Sequence, residues 1–121
     1  MDLNRRIAEK LEPEPKWDRL SVYSEKGLWT YEIFSKVSPP LKPCYFESDG
    51  NAMLSLISAM QNKGFFMHFI AYMDGGGKSC FNLQAVEPEA WDDSWFEDFE
   101  KLYGVIQQAA AKALGLEVDD E

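Results

Sequence analysis

The chain has 121 residues, 45% of them hydrophobic and 14% aromatic, and a formal net charge of −9 at pH 7. That length suits one domain, and the apolar content excludes a disordered chain. The charge excludes a nucleic-acid clamp or a binder of anionic membranes, since both need basic surface, and one His and two Cys leave few of the side chains from which catalytic and metal sites are built.

The opening Met1-Asp2-Leu3-Asn4-Arg5-Arg6 has no apolar run behind its charges and reads as neither signal peptide nor anchor. Leu3, Ile7 and Leu11 recur every four residues and predict a short helix, stopped by Pro13 and Pro15. Beyond Trp17, Leu20, Val22 and Tyr23, a turn is expected at Glu25-Lys26-Gly27. The run Leu28 to Phe34, with Trp29, Tyr31 and Ile33 on one side, reads as a strand. Pro39, Pro40 and Pro43 then enforce an extended crossing inside the domain.

A second helix is expected to be capped by Ser48 or Asp49 and to end before Gly64. Its apolar stripe would be Met53, Leu56, Ile57 and Met60, widened by Leu54 and Ala52, with Ser55, Ser58 and Gln61 to Lys63 facing water. Phe65 to Met73 is the longest apolar stretch, nine residues including His68, too short to span a bilayer, so a soluble protein is expected. Both of its faces are apolar, which predicts a strand in the middle of a sheet covered on both sides. Asp74-Gly75-Gly76-Gly77 reads as a hairpin turn, and Lys78 to Val86 as the antiparallel return strand with one polar face. An acidic, aromatic loop follows from Glu87 to Phe96, whose Asp93 or Ser94 would cap the last helix. That helix carries Phe99, Leu102, Tyr103, Ile106, Ala110 and Ala113 at helical spacing and ends at Gly115. Residues 116–121 read as a frayed acidic tail. The expected fold is one α/β (α+β) domain over 1–121, a small antiparallel sheet sandwiched between helices.

In four pieces the chain resembles the phage ABA-sandwich domain family of small phage and prophage proteins. The opening Met1 to Lys10 is like that family's short N-terminal helix. Tyr45-Phe46-Glu47-Ser48-Asp49 leading to Ala52-Met53-Leu54-Ser55-Leu56-Ile57 is like its "Y-S-T-D" approach to an Ala- and Leu-rich helix. The hairpin after Gly64, with Cys80-Phe81 on its return strand, is like its "C-x-F" strand, and Ile106 to Gly115 is like its closing Ala-rich helix. Two departures are a longer 16–43 segment and a more acidic Trp91–Glu100 stretch. The resemblance implies the fold and a bacterial, virus-derived origin, with no established activity or catalytic residue.

Candidate sites are weighed against plainer roles. Gly75-Gly76-Gly77 joins two strands and does not lead into a helix, which disfavours a phosphate cradle, and Lys78 and Ser79 fall on opposite faces. His68, Cys44 and Cys80 lack the close spacing of a zinc site or of an activated thiol. They read as a hydrogen-bonded strand histidine and free, buried cysteines of a cytoplasmic protein. Carboxylate pairs such as Asp92 with Asp93 or Glu97 with Glu100 read as a solvated helix-capping cluster. No cofactor or metal is expected.

The stretch Glu87 to Glu100 stands out, with seven acids among Trp91, Trp95, Phe96 and Phe99. Aromatics flanked by charge compose an interaction hot spot with a polar rim; alternatively these rings staple the last helix inward. The expected function is non-enzymatic binding of another protein through Trp91, Asp92, Asp93, Trp95 and Glu97, which would suit inhibition of a host factor in the bacterial cytoplasm. The alternative is a small-molecule or nucleotide binder with a pocket at Cys80, Asn82 and Gln84 on the polar hairpin face. Neither involves direct nucleic-acid or membrane contact, and a homodimer is compatible with both.

Overall fold

Asp2 opens the first helix, α1 (Leu3–Leu11), because its carboxylate accepts the Asn4 amide at 3.0 Å, supplying a partner that the first helical turn lacks. The computed structural model of the chain describes residues 2–13, 15–17, 22–30, 41–73, 75–83, 94–96 and 101–117. As the four-residue recurrence predicts, Ile7, Ala8 and Leu11 are buried, and Asn4 is buried on the same face. On the exposed side Arg5 pairs with Glu9 one turn on at 2.9 Å, a contact worth only a few tenths of a kcal/mol.

The end of α1 anchors the chain that follows. The buried Glu12 carboxylate accepts the Ser24 hydroxyl and the Lys26 amide, while the Glu12 carbonyl accepts Trp29 Nε1–H at 2.7 Å. Lys26 Nζ reaches back to the Leu11 carbonyl at 2.8 Å. Helix-terminal carbonyls are thereby satisfied by the segment they hold in place. Gly27 has φ +70°, and a Cβ there would meet Ser55 Oγ at 2.8 Å, so both the turn and the close approach require glycine.

Two short antiparallel pairs lie in this region: β1 (Lys16–Trp17) with β2 (Val22–Tyr23), and β3 (Trp29–Thr30) with β4 (Lys42–Pro43). The first pair was not legible in the sequence. Of the strand expected over Leu28–Phe34, Trp29–Thr30 is seen, and residues 31–40 lie outside the described residues.

A tight turn then starts the second helix, with the Ser48 and Asp49 amides both donating to the Tyr45 carbonyl. Asp49 caps α2 (Gly50–Asn62), accepting the Asn51 and Ala52 amides at 2.9 and 3.3 Å. The expected stripe is present at Met53, Leu56 and Met60, extended by Ala52 and Ala59. Leu54 departs from it and is 67% exposed, because its position lies on the far side of the cylinder from Leu56 and Met60.

The main sheet has the order β5-β6-β7, with β5 at Phe65–Ala71, β6 at Gly77–Leu83 and β7 at Ser94–Phe96, antiparallel throughout. The central strand is therefore β6 and not the Phe65–Met73 run. Phe65, Met67 and Phe81 turn one face of the sheet to the core, whereas Phe66 on the opposite face is 47% exposed, so the expected cover on both faces is incomplete. The stretch taken as a loop up to Phe96 contains β7, which makes Ser94 a ladder residue opposite Ser79 and not a helix cap.

The last helix, α3 (Leu102–Ala113), starts later than expected, and Phe99 lies outside the described residues. Its buried face runs through Val105, Ile106, Ala109 and Ala110, while Tyr103, expected in the stripe, is 37% exposed. At its end the Gly115 amide donates to the Lys112 carbonyl and the Leu116 amide to that of Ala111, the paired closure that a residue with φ +79° permits. Helix α2 packs on β5, α3 packs on β6 and β7, and the two helices also touch. The fold is thus mixed α+β, and among the described residues no helix is long and apolar enough to cross a membrane.

One core group is at odds with its surroundings. Ser79 on β6 is fully buried, and among the described residues its hydroxyl has no hydrogen-bond partner. Burying a hydroxyl without a partner costs on the order of 1–3 kcal/mol. Ser79→Ala is therefore expected to stabilise the fold by about 1 kcal/mol, seen as a melting temperature about 3–5 °C higher. A lower melting temperature would mean that the hydroxyl is satisfied.

Candidate functional site

The starts of α2 and α3 are brought side by side, and an open groove of about 480 Å³ runs between them. Buried Met53 and Ile106 form its floor. Leu54 and Tyr103 line it and stay exposed, and Asp49 and Asn51 bring polar atoms to one end. The close approach depends on Gly50, where a Cβ would stand 3.3 Å from Tyr103 Oη. Without a side chain at Gly50, the tyrosine lies across the first turn of α2.

A polar network, buried at Asn4 and Gln107, links the elements from which the groove helices start. Asn4 Oδ1 accepts Gln107 Nε2–H at 2.7 Å and the Phe46 amide at 3.3 Å, and the same Gln107 nitrogen reaches Glu47 Oε2 at 3.3 Å. This network joins α1, the turn before α2 and the middle of α3. It fixes the two helices that form the groove walls relative to one another.

The groove does not suit an anion. Asp49 already occupies the Asn51 and Ala52 amides with its carboxylate and the Met53 amide with its carbonyl. An incoming phosphate would find the donors taken and a negative charge beside them.

Of the residues singled out from the sequence, Trp95, Cys80 and Asn82 do not line the groove. Trp91, Asp92, Asp93, Glu97 and Gln84 lie outside the described residues. Trp95 is in β7, in register with Lys78, and Cys80 and Asn82 are in β6, opposite His68 and Phe66. Phe66 borders a second hollow of about 370 Å³ with Phe65, Met67 and Gln61. Gly75 and Gly76 lie in the connection between β5 and β6, as the hairpin reading expects, while Gly77 already belongs to β6.

Cys44 is a free thiol in the core that donates to the Gly27 carbonyl at 3.2 Å. Burial, and then the Asp49 and Glu12 carboxylates, push it up to about 11. At neutral pH it stays protonated, so its role is that of a small core residue and not of a nucleophile. Among the described residues no cluster of His, Cys, Asp and Glu could hold a metal ion.

No family model, curated protein or solved structure matches this chain. The chemistry the groove allows is therefore read from its own residues: an apolar floor, two protruding side chains and a carboxylate at one end. The polar groups that its described lining brings to it are those of Asp49, Asn51 and Tyr103. Its two protruding side chains, Leu54 and Tyr103, are large residues that the stripe reading of the sequence counts as inward-facing.

Proposed function

We propose that this chain acts by binding another protein and not by catalysis. The observation that carries this is the open groove between α2 and α3, where Leu54 and Tyr103 stand exposed over an apolar floor. Large side chains left in water around a concave patch are characteristic of contact surfaces. The acidic aromatic stretch adjoins it in sequence, because Glu97, Asp98 and Glu100 precede Leu102 by two to five residues. Trp91, Asp92, Asp93, Trp95 and Glu97 thus belong to the proposed partner-binding surface. Carboxylates there would speed encounter with a basic partner, and the apolar groups would hold the complex.

A phage- or prophage-derived protein inhibiting a host factor in the bacterial cytoplasm is part of this proposal. What supports the origin is the sequence resemblance alone, carried by Met1–Lys10, the Tyr45–Asp49 approach to α2, Cys80-Phe81 and Ile106–Gly115. The test is affinity capture with the full chain as bait and Trp91→Ala as control, followed by stopped-flow association with the purified partner. The rate is expected to fall at least about tenfold between about 50 and 500 mM NaCl. A rate indifferent to salt would remove the electrostatic half of the mechanism, and equal capture by Trp91→Ala would remove that residue from the surface.

A second reading, a small-molecule binder, is favoured by the hollow at Phe65–Met67, beside the register position of Asn82. A ligand there would raise the melting temperature with concentration in a metabolite and nucleotide panel.

A further inference from the structure

We propose that the outer edge of β5 is a self-association surface, on which β5 of a second copy pairs antiparallel about a two-fold axis and joins two three-stranded sheets into one. This contact is separate from the groove between α2 and α3 and does not depend on it.

The hydrogen-bonding pattern defines the edge. Among the described residues β5 has β6 as its one neighbour in the sheet. The Tyr72 amide donates to the Gly76 carbonyl at 2.7 Å, continuing the register in which Ile70 faces Lys78 and His68 faces Cys80. In an antiparallel ladder only every second residue exchanges bonds with a given neighbour, so Phe66, His68 and Ile70 bond β6. The main-chain groups of Phe65, Met67 and Ala71 point away from it.

This edge lacks the features that keep outer strands apart. Phe65 to Met73 contains no Lys, Arg, Asp, Glu, Pro or Gly. Outer strands that stay single are commonly short or carry charge or proline, whereas β5 runs for seven residues. Phe66 is half in water and Met73 wholly so, and the hollow of about 370 Å³ bordered by Phe65 to Met67 leaves open space at the start of the strand.

The occupant follows from what can lie against such an edge. Amides and carbonyls in a row take another extended strand, and beside β5 that strand must be apolar on both faces. Phe65 to Met73 is itself such a strand. With the axis at His68 the whole of β5 is used: Phe65 faces Ala71 of the second copy and Phe66 faces Ile70. Tyr72 then comes level with Gly64 of the second copy, beside the hollow, where even a Cβ would meet nothing within 4 Å. These pairs carry no formal charge, so two chains of −9 each meet where neither brings a like charge. The opposite edge, β7, has three residues, so the pairing closes at two copies and does not propagate.

The test is sedimentation velocity of the full chain from about 1 to about 300 μM at about 150 mM NaCl. The decisive variant is Ala71→Pro. Proline there removes an outward N–H and sets its ring where the second strand would lie, while every bond from β5 to β6 is kept, as circular dichroism would verify. Phe66→Lys is the second variant, since Phe66 is exposed and the change lowers the repulsion between copies, so any weakening must come from the strand contact. Leu54→Asp in the groove is the control.

The expected result is a species of twice 13.9 kDa. Its dissociation constant is expected on the order of 10 μM, at least tenfold weaker for Ala71→Pro and Phe66→Lys and unchanged for Leu54→Asp. A monomer at about 300 μM, a dimer indifferent to both edge variants, or assemblies that grow past two copies would each overturn the proposal. Dissociation by Leu54→Asp would overturn it as well, by moving the contact to the groove.

Discussion

Truncating Phe46 to alanine is expected to lower the stability of the fold by about 3–5 kcal/mol, a large share of what a domain of this size has. Its ring is fully buried in the core cluster with Ile7, Leu56 and Met60, so the truncation removes apolar burial and leaves a cavity behind. The effect reaches beyond packing, because Phe46 sits inside the Tyr45–Asp49 turn whose last residue caps α2. Denaturant unfolding should show a lower midpoint with an unchanged slope, and Phe46→Leu, which keeps most of the volume, should lose about 1–1.5 kcal/mol. A loss under about 1 kcal/mol in the alanine variant would contradict the buried position.

Replacing Asn4 with alanine is expected to cost about 2–3 kcal/mol, although Asn4 is a polar residue on a short helix. Its side-chain oxygen accepts from Gln107 and from the Phe46 amide, and both donors are themselves buried or nearly so. Loss of the acceptor strands two donors away from water, which is worse than losing one hydrogen bond. A double-mutant cycle of Asn4→Ala with Gln107→Ala should give a coupling of about 1 kcal/mol or more, and strict additivity would show that the two side chains act independently. Because this network sets α3 against the turn before α2, the Asn4 variant should also weaken whatever binds the groove.

Much of the helical framework was legible because its signals are local. Asp49 before an apolar stripe, Gly115 after another, and Leu3, Ile7 and Leu11 at one spacing each decide a helix from within a few residues. Strand order was not legible. A run apolar on both faces, such as Phe65 to Met73, is what a covered central strand needs, but it is equally what an outer strand shows when Phe66 on one face stays half in water. The ranking depends on β7, and three residues inside an acidic stretch are too few to display alternation. The two-residue strands β1 and β2 were hidden for the same reason. Glu12 escaped because its partners Ser24, Lys26 and Trp29 are brought to it only by the turn at Gly27. The groove is half visible: the helical spacing marks Leu54 and Tyr103 as apolar but points them inward, since a wide stripe and an exposed ridge differ only by how far around the cylinder the neighbouring helix reaches.

The guanidinium of Arg6 donates to the Glu117 carbonyl at 2.9 Å, and α1 packs on α3, so the earliest and latest described parts of the chain are neighbours. A nine-residue helix is marginal alone in water, so α1 draws its support from tertiary contacts, with α3 as well as with β4 and the turn at Gly27. The Arg6–Glu117 contact spans 111 residues, so completing the packing of α1 on α3 carries a loop-closure entropy cost shared by both ends. On the ribosome the full packing of α1 would come only once α3 has emerged, and a copy truncated before Leu102 would hold its opening helix more loosely.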